Sequence, residues 1–124
     1  MKHSLFLPIG AVLAFFAIAF GAFGAHGLKN ILTVEQLNIF QTAVDYHMWH
    51  AIGLTLIGLI PSQKTSRLLL ASGWFMLAGV VLFSGSLYAL SLSGISLLGA
   101  ITPVGGVSFL IAWALLAYTS IKFN

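Results

Sequence analysis

One uncharged stretch, residues 68–121, constrains the fold of this chain more than any other feature. It runs between Arg67 and Lys122 and contains neither an acidic nor a basic side chain. A helix needs roughly 20 apolar residues to cross the hydrocarbon core of a bilayer, so the stretch holds two such helices and the turn between them. The whole chain is 60% hydrophobic and only 6% charged, which excludes an ordinary soluble globular protein.

Four membrane-spanning helices are predicted from the apolar segments and the polar breaks between them. The first segment imitates a secretory signal, but it is longer than the roughly 7–15 apolar residues of such signals. Polar or turn-forming breaks follow at residues 29–30, 61–67 and 91–96. The 124 residues are therefore expected to form one all-α, polytopic membrane domain, with spans at about 5–26, 43–61, 68–90 and 103–121.

Local signals predict where two of the helices begin. Thr33, with Gln36 three residues later, matches a capping box. Apolar residues then recur at helical spacing, which predicts a short amphipathic helix at about residues 34–44, too polar to span and expected at the interface. It continues or bends into the second span, which has to begin near residue 43 and places His47 and His50 near the lipid headgroups or just beneath them. Thr102 is expected to cap the last span, with Pro103 at its first position.

The basic residues predict the orientation. Four spans return both termini to one side, together with the loop between the second and third spans. That side carries Lys2, Lys64, Arg67 and Lys122, and the other carries Lys29. The positive-inside rule therefore predicts that both termini are cytoplasmic. Singly scattered basic residues are typical of membrane anchors and offer no patch for nucleic acid.

The densest group of reactive side chains lies at residues 45–50, where Asp45, Tyr46, His47 and His50 fall within six residues. His47 and His50 are neighbours on a helix, and we expect His26 to converge with them at the outer end of the bundle. Three imidazoles and a carboxylate could ligate a metal of the zinc type, and haem would need His26 opposite another histidine. The spacing matches no compact metal motif, so it favours a structural polar network without metal or cofactor.

Nucleophilic catalysis is the other chemistry to weigh. Cysteine is absent, which excludes thiolate chemistry. Ser84 or Ser86, together with a histidine and Asp45, could in principle form a triad. Serines beside Gly85 in a membrane helix are more typical of helix packing, so no enzyme is predicted.

Small residues indicate helix–helix contacts. Ala17, Gly21 and Ala25 are four residues apart and share one helix face, where a second backbone could approach closely. Gly21 and Gly85 are both expected to face a neighbouring helix.

Several blocks of the chain resemble one family. Residues 21–28, 46–51, 83–88 and 98–106 are similar to the signatures of the YgdD/YwdK membrane proteins, a family of unknown function. The resemblance covers nearly the whole chain in order. It implies a four-span bacterial inner-membrane protein with mitochondrial relatives, and it implies no particular reaction. Its packing and motif residues are Gly21, Gly24, Gly27, Ser84, Gly85, Ser86, Tyr88, Thr102, Pro103, Gly105 and Gly106.

Two functions stay open at this point. The favoured one is a non-enzymatic structural or accessory protein that supports membrane integrity or a larger membrane complex. The alternative is a protein that binds a small ligand, a lipid or a metal at the outer histidine cluster, or an oligomeric channel or carrier. The lipid bilayer is the expected partner in both cases, with a homo-oligomer or a larger complex as a further possibility.

Overall fold

The computed structural model describes residues 2–122 and is helical throughout that part of the chain, apart from short connections. A π-helical segment, Val80–Ser84, joins two α-helices, so that Arg67–Ser93 form one rod. Short 3₁₀ turns at His3–Leu5, Ser62–Lys64 and Ser96–Ala100 lie near the helix ends. The α-helices are α1 (Phe6–His26), α2 (Val34–Gly58), α3 (Arg67–Gly79), α4 (Gly85–Ser93) and α5 (Thr102–Lys122).

Three helical stretches are long and apolar enough to cross a membrane. They are His3–His26, Arg67–Ser93 and Ser96–Lys122, and they correspond to the first, third and fourth predicted spans. Their outward faces carry large apolar side chains, such as Phe15, which is 66% exposed, and Leu110, which is 72% exposed. An apolar exterior of this extent is matched by lipid and not by water.

Helix α2 is the fourth long helix, and it joins two segments that the sequence pattern predicts separately. The predicted amphipathic helix and the predicted second span lie on one uninterrupted helix that begins at Val34. The capping box is confirmed. The Thr33 hydroxyl accepts from the Gln36 N–H at 3.1 Å, and the Gln36 side chain accepts from the Thr33 N–H at 2.9 Å.

Helix α2 is the central element of the bundle. It packs antiparallel against α1 on one side and against the α3–α4 rod on another, while α5 packs mainly on the rod. Gly10 and Gly24 of α1 face Ala51 and the Phe40 ring of α2, at opposite ends of the pair. A Cβ atom at Gly10 would lie 2.6 Å from the Ala51 carbonyl oxygen, so glycine is what allows the two backbones to approach.

Two features hold one end of the bundle together. Phe6 of α1 belongs to a core cluster in which it is joined by Leu54, Ile57, Leu69, Met76 and Ala112. His3 is buried beside it. Its Nε2 donates to the Ile60 carbonyl at 2.5 Å, and its Nδ1 accepts from the Thr65 hydroxyl at 2.8 Å. The chain start is thereby tied to the α2–α3 connection, a role that the sequence analysis does not assign to His3.

The predicted small-residue contacts are confirmed only in part. Gly21 faces Val44, where a Cβ atom would lie 3.3 Å from a methyl group. The expectation for Gly85 is wrong, because nothing lies within 4 Å of a Cβ atom built there. Ala25 is exposed, since the buried face of α1 follows a spacing close to seven residues. That face consists of Phe6, Gly10, Ala17 and Gly24.

The start of α5 also differs slightly from the prediction. The helix begins at Thr102 and not at Pro103. The Thr102 hydroxyl lies 2.6 Å from the Ser86 hydroxyl on α4, so this side chain links two helices.

The antiparallel packing separates the charges as expected. Lys2, Lys64, Arg67 and Lys122 lie at one end of the bundle, where α1 begins and α5 ends. Lys29 and Glu35 lie at the other end, between α1 and α2.

Replacing Gly10 by alanine should destabilise the protein, because the new methyl group would press on the α2 backbone at Ala51 and Thr55. Overpacking of this kind costs typically about 1–3 kcal/mol. The measurement is thermal unfolding in detergent. The matched control is Gly85→Ala, which meets open space and should melt at or slightly above the temperature of the unmodified protein. Equal melting of both variants would contradict the close approach of α1 and α2.

Candidate functional site

The two histidines of the 45–50 segment lie near the middle of the bundle. Because Gly24 faces Phe40 and Gly10 faces Ala51, His47 and His50 lie between these two contacts, away from both ends of the α1–α2 pair. This interior position on α2 differs from the expected one at the entry to a separate second span. Its physical reason is that α2 begins at Val34, so His47 already lies more than three helical turns from the N-terminus of the helix.

His50 links α2 to α5, and both of its ring nitrogens have hydrogen-bond partners. Its Nε2 accepts a hydrogen bond from the indole N–H of Trp113 at 3.0 Å. Its Nδ1 must then carry the proton, and it donates to the Tyr46 carbonyl at 2.6 Å. The imidazole stacks on the Phe109 ring, with centroids 3.5 Å apart and an angle of 10° between the planes. Both nitrogens are thus satisfied in the neutral form.

His47 points to other neighbours. Its Nδ1 lies 2.8 Å from the Tyr88 hydroxyl on α4, and its ring packs near Phe20 of α1. Its Nε2 is buried and has no hydrogen-bond partner among the described residues. His47 therefore joins α2 to α1 and α4, whereas His50 joins α2 to α5.

The predicted convergence of His26 with these histidines is wrong. His26 is exposed at the end of α1. The α1–α2 register places it about 12 Å along the helix axis from His47, and farther from His50. Asp45 accepts a hydrogen bond from Gln41 at 2.8 Å. Within residues 2–122, no three His, Cys, Asp or Glu side chains form a group that could hold a metal ion.

The serines beside Gly85 make contacts between or within helices. The Ser84 hydroxyl donates to the Ala43 carbonyl of α2 at 2.8 Å. The Ser86 hydroxyl donates to the Phe83 carbonyl at 3.0 Å and pairs with Thr102. These hydrogen bonds are the packing role that the sequence favours for both residues.

The structure contains a cleft that the sequence pattern does not predict. It has a volume of about 550 Å³ and lies between α2, the π segment and α5. The His50–Trp113 pair forms part of its wall. Its lining residues are Tyr46, Trp49, His50, Phe83, Pro103, Gly106, Val107, Phe109, Leu110 and Trp113.

Local chain geometry builds this lateral cleft. Gly105 packs against the backbone of Phe83 in the π segment, which brings α5 close to the rod. The π segment carries the Phe83 ring to within 4.5 Å of the Tyr46 ring, measured between centroids. π-helical turns are frequent at functional sites.

A sequence signal for the cleft does exist. Tyr46 and His50 on α2 are four residues apart, and so are Phe109 and Trp113 on α5. Each pair therefore shares a helix face. The signal becomes informative only once α2 and α5 are known to lie side by side, because each pair alone is typical of any buried helix.

Comparison with known proteins agrees with the resemblance seen in the sequence. Residues 20–106 match the family described as "Protein of unknown function (DUF423)". The chain is 46% identical over 121 residues to the UPF0382 membrane protein YwdK of Bacillus subtilis, which covers 96% of this chain and 98% of the relative. It is 46% identical over 119 residues to a UPF0382 membrane protein of Staphylococcus epidermidis, covering 96% and 97%. No solved structure matches the chain.

The His50–Trp113 hydrogen bond can be tested by a double-mutant cycle. His50→Ala leaves the indole N–H without its acceptor, and a buried unpaired group costs about 1–3 kcal/mol. Trp113→Phe should cost less once His50 is already absent, with a coupling of about 0.5–3 kcal/mol. Unfolding in detergent measures both. The control is Trp74→Phe, a tryptophan that packs edge-on against Phe6. Strictly additive losses at positions 50 and 113 would contradict the hydrogen bond.

Proposed function

Because this chain belongs to the DUF423 family, whose relatives are named as membrane proteins, we propose that it is a four-span, multi-pass protein of the bacterial inner membrane. Both of its termini are cytoplasmic in this proposal. Its role is non-enzymatic: it is a structural or accessory protein that supports membrane integrity or a larger membrane complex.

The observation that supports this proposal is that polar side chains form hydrogen bonds between helices. The Ser72 hydroxyl donates to the Ala112 carbonyl at 2.7 Å, and the Ser108 hydroxyl donates to the Phe75 carbonyl at 2.6 Å. Ser84, His47 and His50 make comparable links around α2. In lipid such hydrogen bonds hold helices together. Ser84 and the two histidines, which a catalytic site would need, thus form contacts between helices.

The position of α2 supports four spans. α2 lies along α1 from the Gly10–Ala51 contact to the Gly24–Phe40 contact, which is most of the length of α1. A helix packed lengthwise against a spanning helix crosses the same bilayer. Its histidines are covered by α1, the α3–α4 rod and α5, so that α2 can span although it is less apolar than its neighbours.

The charge distribution supports the orientation. The end of the bundle with Lys2, Lys64, Arg67 and Lys122 is the cytoplasmic end under the positive-inside rule. The outward apolar faces of α1 and α5 are then covered by lipid, by a second copy or by helices of a larger complex.

Single cysteines in this cysteine-free chain test the topology. Ser93→Cys should react with a membrane-impermeant maleimide from outside the cell, because the α4–α5 connection lies at the outer end. Ser62→Cys, in the turn between α2 and α3, should react only after the membrane is opened. The two serines are both exposed, so they form a matched pair. Labelling of Ser93→Cys from the cytoplasmic side alone would refute the orientation.

Complementation tests the non-enzymatic role. In a strain that lacks its own copy, dye entry measures membrane integrity, and variants are compared with their melting temperatures in detergent. A structural protein should lose rescue in proportion to lost stability across His47→Gln, His50→Gln and Tyr88→Phe. Gly85→Ala is the control that should keep both. A variant that melts normally and yet fails to restore integrity would point to chemistry at that residue and against the proposal.

A further inference from the structure

The lateral cleft has the size and position of a site for a small molecule from the membrane. Its volume of about 550 Å³ falls within the range of roughly 300–1,000 Å³ that small-molecule sites occupy. Its rim residues are open to the surroundings of the bundle: Trp49 is 55% exposed and Leu110 is 72% exposed. Because the outer faces of α2 and α5 on either side are apolar, a ligand would enter from the lipid phase.

The lining excludes a charged head group. It contains no Lys, Arg, Asp or Glu side chain. His50 is engaged through both of its nitrogens in the neutral form. A phosphate, carboxylate or ammonium group would therefore lose its hydration without gaining a counter-ion, which is costly in a low-dielectric site. The ligand has an uncharged polar group or none.

The shape and chemistry of the wall favour a flat ring. Six of the lining side chains carry aromatic rings. The ring of His50 makes an angle of 10° with that of Tyr46, and the ring of Phe109 makes an angle of 19° with that of Tyr46. Parallel aromatic faces gain by offset stacking with another planar ring, beyond the area that is buried. An acyl chain would gain only the buried area.

The free polar groups of the cleft are donors. The Tyr46 side chain is half-buried, and its hydroxyl makes no hydrogen bond within the described residues. The indole N–H of the exposed Trp49 makes no hydrogen bond there either. A hydroxyl that faces hydrocarbon without a partner costs free energy, so a ligand that supplies an acceptor offsets that cost. The ring that fits best carries carbonyl oxygens.

We propose that the lateral cleft binds the ring of a membrane-soluble quinone. Tyr46 donates a hydrogen bond to one quinone carbonyl, the ring packs against the aromatic wall of the cleft, and the isoprenoid tail leaves between α2 and α5 into the lipid. The site binds the quinone and performs no electron transfer in this proposal. It stands independently of the structural role proposed above.

The experiment uses the full chain in nanodiscs of zwitterionic lipid and a benzoquinone with a short isoprenoid tail. The background variant is Trp74→Phe, which leaves Trp49 and Trp113, both of which line the cleft, as fluorescent reporters. Quinones quench indole fluorescence. A bound quinone should give saturable quenching above the linear quenching by quinone dissolved in the lipid.

Three variants make the result specific. Tyr46→Phe should weaken binding roughly 3- to 10-fold, the value of one neutral hydrogen bond. Gly106→Leu should fill the cleft and abolish the saturable component, whereas Gly85→Leu, whose side chain meets open space, should keep it. Melting temperatures identify a Gly106→Leu protein that fails to fold. In that case Val107→Phe, at the exposed rim of the cleft, takes its place and should reduce binding.

The outcomes that overturn the proposal are distinct from those that would refute the structural role. Quenching that stays linear in the background protein, or saturable quenching that survives both Gly106→Leu and Val107→Phe, means that the cleft holds no quinone. Displacement of the quinone by an equal concentration of diacylglycerol, which is uncharged but has no ring, means that the cleft is a site for acyl chains. Neither result affects dye entry or rescue.

Discussion

No water reaches the hydrocarbon core of a bilayer, so a polar side chain there must find its partner inside the protein. Helix α2 brings two imidazoles and several backbone carbonyls to the middle of the bundle, and its neighbours are arranged to receive them. Tyr88 meets His47, Trp113 meets His50, and Ser84 meets the Ala43 carbonyl. The arrangement of the helices gives the polar groups of α2 their hydrogen-bond partners. The glycines at the helix contacts allow the backbones to come close enough for these bonds.

The helices themselves could be predicted well because their signals are local. A long apolar run needs only its own length to specify a spanning helix, and the Thr33–Gln36 capping box is complete within four residues. The continuity of α2 is less readable. Its first half is too polar to be predicted as a span by itself. It belongs to the bundle because neighbouring helices pack against its polar side chains. That division of α2 into two elements placed His47 and His50 at the entry to a second span, whereas they lie in the interior of one long helix.

The contacts between helices could be predicted only where a pattern happened to coincide with the correct face. Gly21 and Gly85 look alike in the sequence, yet one faces Val44 and the other meets open space. Gly10 has a stronger packing role than either, and nothing in its immediate surroundings singles it out. The cleft escaped prediction for the same reason, since it is formed by side chains from three elements whose relative rotation is not encoded in the local pattern. His26 was grouped with the other histidines by chain order alone, and the register of α1 against α2 separates them.

The π segment changes the main neighbour of the α3–α4 rod, from α5 before the segment to α2 after it. Each residue of an α-helix turns the chain by about 100°, so the one additional residue in a π turn rotates everything beyond it relative to a continuous α-helix. Before the segment, Ser72 of the rod is directed to α5, and after it, Tyr88 is directed to His47 of α2. The side chains of the two halves of the rod therefore point in directions that a continuous α-helix would not give them. A chain one residue shorter within Val80–Ser84 would keep the side chains of both halves but rotate one half against the other by about 100°, so the main contacts with α5 and with α2 would no longer form together.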